Sequence, residues 1–151
     1  MKKFRYSMQS LLVIKQKLED QAKAAYGAAK LRLTEEEDRL FALQQKREAY
    51  VEEKRQVMAS RLDVPKLNRL QSAIEAMDDR IVRQKQNVKK AEAALHAAEE
   101  RLVESMTERK TQERLRENAF EEYRQEMNAE EQKEIDERTS FQFGRKDMEE
   151  A

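Results

Sequence analysis

One histidine, no cysteine and only two glycines leave this chain little with which to do chemistry. His96 lies in an Ala/Glu-rich stretch with Glu92, Glu99 and Glu100 at helical spacing, the one place where side chains could gather around a cation. A transition-metal centre ordinarily adds a second histidine or a cysteine to such a group. The chain has neither, so His96 is read as a surface residue, and no metal or cofactor is expected. No glycine-rich phosphate loop and no nucleophile motif occur, so no catalytic residue is assigned and the chain is read as not an enzyme. Arg83, Lys85, Lys89 and Lys90 form a short basic stretch without interleaved aromatics. A nucleic-acid interface usually combines the two, so no nucleic-acid partner is expected. Met8, Met77 and Met106 recur at apolar spacing and read as packing groups. With these chemistries set aside, binding is what remains.

The elements that carry such binding follow from composition. Of 151 residues, 41% are charged and 38% hydrophobic, too few apolar groups for one compact core. Proline, glycine and serine are scarce, unlike in a disordered chain, and the Ala, Glu, Lys, Leu, Arg and Gln that dominate suit long helices or coiled coils. Thirty-one basic and 31 acidic residues cancel, so no net field favours nucleic acid or acidic lipid. No apolar run reaches the roughly 20 residues of a membrane span, and Met1 to Tyr6 lacks the apolar core of a signal peptide. No direct membrane insertion is therefore expected.

The only proline, Pro65, interrupts a sequence that is otherwise helical in character. Inside a helix it would cost about 3 kcal/mol, whereas in a first turn its missing N–H costs little. Asp63 or Ser60 can offer an oxygen to the free amides of a helix start. The sequence thus predicts a first helix over about 5–59, a turn over about 60–64, a second helix over about 65–140 and a flexible tail over 141–151, all one domain. Two long helices joined by a tight turn fold back antiparallel.

Before the turn, Phe4, Met8, Leu11, Leu12, Ile14 and Leu18 follow helical steps, and Ser7 is a candidate cap. Gly27 lies in an alanine-rich stretch and is read as a surface glycine; the alternative is close approach of another backbone. From Leu33 a heptad runs through Leu40, Arg47 and Lys54, and through Glu36, Leu43, Tyr50 and Val57. The run Glu35–Asp38 reads as a solvated face. After the turn the seam is cleaner: Leu67, Ile74, Ile81, Val88, Leu95 and Leu102, interleaved with Leu70, Met77, Gln84, Ala91 and Ala98. Its phase then slips to Met106, Leu115, Phe120, Tyr123 and Met127. In an antiparallel hairpin with this turn, facing residue numbers sum to about 125, which sets Phe4 against Phe120, Leu11 against Leu115, Leu43 against Ile81 and Tyr50 against Ile74. The fold class expected is all-α: an antiparallel two-stranded coiled-coil hairpin with an overhanging carboxyl-terminal helix. Each arm would be about 80 Å long at 1.5 Å per residue. From Glu121 onward 11 acidic and 5 basic residues surround Met127, Ile135, Phe141 and Phe143. That overhang is either a fraying tail or a docking surface.

The two ends carry a resemblance that heptad logic does not require. Phe4-x-Tyr6-x-Met8-x-x-Leu11-Leu12-x-Ile14-Lys15-x-x-Leu18-Glu19-x-x-Ala22-Lys23 resembles the start of the flagellar export protein FliJ family. Glu130-x-x-Lys133-Glu134-Ile135-Asp136-Glu137, followed by Phe141, is similar to that family's carboxyl-terminal signature. The resemblance implies a non-enzymatic part of the bacterial flagellar type III export apparatus, an antiparallel coiled coil similar to the shaft subunit of rotary ATP synthases. It implies three partners: the hexameric export ATPase ring, the cytosolic domain of the membrane export gate, and export chaperones that the protein escorts. It also implies a cytoplasmic location, peripheral at the membrane.

Carried onto this chain, the family's gate-binding cluster corresponds most nearly to Leu43, Tyr50, Leu70, Ile74 and Met77. The end bearing both termini would enter the ring, through Phe4, Tyr6, Met127, Ile135, Phe141 and Phe143. Arg39, Lys46 and Leu70 stand where the family has glutamine or aromatic residues. A purely structural, self-associating coiled coil is the competing reading, and the polar seam entries Glu36, Arg47, Lys54 and Gln84 argue against its symmetric form.

Overall fold

Pro65 sits where its missing amide proton is harmless. The computed structural model describes residues 3–150, which form two helices, α1 (Gln9–Ala59) and α2 (Val64–Glu150). Asp63 caps α2: its Oδ1 accepts from the Lys66 amide at 3.2 Å, and its carbonyl accepts from Leu67 at 3.0 Å. Pro65 is thereby the second helical residue. Ser60 serves the other helix, its hydroxyl donating to the Val57 carbonyl at 3.3 Å. The described residues contain only helix, turn and coil, and the fold is the all-α, antiparallel coiled-coil hairpin with an overhanging carboxyl-terminal helix.

Two element ends differ from the sequence reading. The first helix starts at Gln9 rather than near residue 5, and Lys3–Tyr6 is irregular. Phe4 is drawn edge-on against Phe120, ring centroids 5.1 Å apart, and the Tyr6 hydroxyl reaches Gln112 at 3.3 Å. Such side-chain anchors outweigh the hydrogen bonds of one more helical turn. At that start the bonds are backbone ones, Gln9 N–H to Tyr6 and Leu12 N–H to Met8, so Ser7 is not the cap. At the other end α2 continues as helix to Glu150 where a tail was expected from residue 141. The segment is rich in helix-forming Glu, Arg, Gln and Lys and contains no proline.

Packing divides the chain into two units: one joins the chain up to Leu18 to Ser105 and beyond, and the other is Glu19–Glu104. In the Glu19–Glu104 unit the buried apolar residues are Val57, Leu70, Ile74, Met77, Ile81 and Ala91, and the predicted α2 seam from Leu67 to Leu102 is buried or half-buried at every position. Arg47–Asp78 and Lys54–Gln71 cross between the helices, each with residue numbers summing to about 125 as the hairpin geometry requires. The other unit buries Leu12 and stacks Phe4 on Phe120 and Tyr123. There Leu115 is exposed, and Arg109, Gln112 and Glu113 take the half-buried positions instead. Gly27 is a surface glycine, since a Cβ there would meet nothing within 4 Å.

Candidate interaction surfaces

At Glu36 two sequence readings conflict, the heptad through Leu43, Tyr50 and Val57 placing it in the seam and the acidic run Glu35–Asp38 placing it on a solvated face. It is 2% exposed and belongs to the seam, not to the solvated face read from Glu35–Asp38. Heptad phase turns this one carboxylate of the four inward. Its cost is met by direct partners: Gln84 Nε2 donates to the Glu36 carbonyl at 2.9 Å and to its carboxylate, while Arg32 (2.9 Å) and Arg39 (3.1 Å) bind the other carboxylate oxygen. Asn87 donates in turn to Gln84 Oε1 at 3.2 Å. Among the described residues no buried side-chain polar atom lacks a partner, as buried groups require.

The five residues matched to a gate-binding cluster are treated unevenly. Leu70, Ile74 and Met77 are buried in the seam. Leu43 and Tyr50 are half-buried, each with an edge toward solvent. The structure therefore brings the five into one packed layer beside the turn, and only the α1 members have surface to offer.

The six residues matched to ring binding divide into two groups. Phe4, Tyr6 and Met127 are half-buried around a groove of about 420 Å³, which Tyr123, Glu126 and Glu130 also line. Arg116 stacks on Phe4, its guanidinium carbon 5.8 Å from the ring centroid. Lys3 and Arg5 line the groove as well, so an aromatic floor is flanked by charges of both signs. Ile135 (54% exposed), Phe141 (72%) and Phe143 (64%) lie instead along a part of α2 where every residue from 128 to 150 is exposed.

His96 is exposed and pairs with Glu100 at 3.1 Å. Among the exposed apolar residues that escaped the sequence reading are Leu31 and Phe41, each 62% exposed on α1. The signal for them was available: both fall outside the heptad positions, where a large apolar group has no seam to fill.

The FliJ family, described as Flagellar FliJ protein, matches residues 4–147. This chain belongs to the FliJ family. No curated protein matches it. Among solved structures, a YscO homolog, CT670 from Chlamydia trachomatis, has a similar fold with a TM-score of 0.71, at 20% identity over 92% of this chain and 94% of that one. As a FliJ-family member the chain is a component of the type III export apparatus. Among its described residues no helix is long and apolar enough to cross a membrane.

Proposed function

We propose that this FliJ-family chain acts by binding and not by catalysis, coupling the flagellar export ATPase ring to the cytosolic domain of the export gate and escorting export chaperones. The observation that carries the reading is the family match, which extends from Phe4 to residue 147 and so takes in both end motifs. The protein works in the cytoplasm, at the inner face of the membrane where ring and gate meet.

In this reading the unit that holds both ends of the chain binds the ring. Ile135, Phe141 and Phe143 recur on a segment with no intramolecular cover. Large apolar groups standing in water on an otherwise acidic helix are accounted for when a partner buries them. The Phe4–Tyr6–Met127 groove adds a second foothold next to that segment in sequence. The unit beside the turn meets the gate. Leu43 and Tyr50 supply contact, and Leu70, Ile74 and Met77 hold α1 in position from beneath.

Deleting Glu126–Ala151 tests the assignment. The shortened chain keeps its seam and is expected to retain helical circular dichroism and gate binding in a pull-down, while stimulation of the export ATPase is lost. Full stimulation by the shortened chain would remove the tail from the ring. Loss of gate binding alone would reverse the two assignments.

A further inference from the structure

We propose that α2 between Arg80 and Ala93 docks the acidic carboxyl-terminal segment of a second copy of this chain. From Arg80 to Ala93 there are five cations, Arg80, Arg83, Lys85, Lys89 and Lys90, against one carboxylate, Glu92. All five are exposed, and none is in an ion pair among the described residues; the Arg83 side chain donates only to a backbone carbonyl, that of Asp79, at 3.4 Å. Elsewhere Arg32, Arg39, Arg47, Arg55 and Arg124 each hold a carboxylate. Across the seam, Glu36 is already bound by Arg32, Arg39 and Gln84.

The complementary charge lies on the same molecule. Glu130, Glu134 and Glu137 recur at steps of four and three, with Phe141 one turn further, so they share one face of α2. All four are exposed, and the three carboxylates have no ion pair among the described residues. On the basic stretch, Val82, Lys85, Lys89 and Ala93 make an exposed face of the same length, each stripe covering about 16 Å at 1.5 Å per residue. With the two helices parallel, Lys85 meets Glu134 and Lys89 meets Glu137. Phe141 then lies over Ala93, whose small side chain leaves room for the ring.

Exposed ion pairs are individually weak, so the contact is salt-sensitive and relies on several pairs plus the apolar end. It joins different surfaces of the two copies, and such heterologous contacts propagate instead of closing. The docked segment is the one assigned above to the ATPase ring, so a chain engaged with its own kind would be unavailable to the ring. Charge and spacing favour the docking whether or not the segment also binds the ring.

Sedimentation velocity on the full chain tests it, at roughly 50 mM and 500 mM NaCl, conditions that change the screening length about threefold. At low salt the weight-average sedimentation coefficient is expected to rise with protein concentration; at high salt association should weaken by about tenfold or more. A Lys85→Glu/Lys89→Glu chain and a Glu134→Lys/Glu137→Lys chain should each be monomeric with unchanged circular dichroism, and their mixture should associate again. A wild-type chain that stays monomeric at low salt overturns the proposal. So does association that survives the Lys85→Glu/Lys89→Glu change, or a mixture whose components stay apart. Binding of anionic vesicles through Lys85 and Lys89 without self-association would give the basic face to lipid and equally overturn it.

Discussion

Glu36 and Gln84 are the residues whose removal should say most about how the helices choose their alignment. Each satisfies the other, so truncating one strands the rest. Glu36→Ala is expected to cost about 1–3 kcal/mol in a denaturant melt, the usual penalty for orphaning a buried donor. Replacing both by leucine has a different expected outcome. Buried polar clusters exchanged for well-packed apolar groups are often neutral or stabilising, while a polar seam residue fixes register. The double variant should therefore melt at the same temperature or higher. Spin labels at Ala42 and Arg83 should give a broader distance distribution in it than in the parent. An unchanged narrow distribution would show that the apolar seam sets the register alone.

At the scale of elements, the α2 cap is the most economical test of the turn. Asp63→Ala removes the oxygen that holds the Lys66 amide, and loss of such a cap typically costs about 1 kcal/mol. An equilibrium urea titration should show that loss with an unchanged slope. The turn and the α2 seam were legible because proline has few permitted places and because Leu67 to Leu102 keeps a strict seven-residue repeat. The start of α1 was not legible: the hairpin sum paired Phe4 with Phe120, as found, but nothing in it says that Lys3–Tyr6 leaves the helix to make that contact and to reach Gln112. Past Leu102 the inward path of α2 was legible in part, Met106, Tyr123 and Met127 being half-buried as the shifted stripe predicts. There the seam passes through Arg109, Gln112 and Glu113, and a search for apolar residues moves to Leu115 instead.

For the molecule as a whole, burial is unequal. Among the described residues, the Glu19–Glu104 unit holds six of the seven buried apolar residues, and the other unit holds only Leu12. Opening free energies follow local burial. Native-state hydrogen exchange should therefore be slowest for amides around Leu70 to Ile81, faster around Leu12 and Phe120, and fastest from 128 to 150. In that last segment the helix has no apolar partner surface and must rely on marginal intrinsic propensity. Uniform protection along α2 would contradict this ordering. The candidate surfaces follow the same division. The exposed group Ile135, Phe141 and Phe143 could be picked out from sequence because charge and apolarity are mixed there without period. The Leu70, Ile74 and Met77 group could not be assigned the same way, because a residue that fills a seam and one that meets a partner are chemically alike.

The aromatic cluster at Phe4 has an optical consequence. The chain has no tryptophan and four tyrosines, Tyr6, Tyr26, Tyr50 and Tyr123, two in each packed unit. Tyr123 stands 5.4 Å from the Phe4 ring and 6.3 Å from the Phe120 ring. Light absorbed by Phe4 can pass to Tyr123 and be emitted there, a transfer that ends when the amino-terminal segment lifts away, whereas transfer from Phe120, on the same helix as Tyr123, persists. With Tyr26 and Tyr50 changed to phenylalanine, the intrinsic fluorescence of the unlabelled protein would become a local gauge of whether its amino-terminal segment is seated.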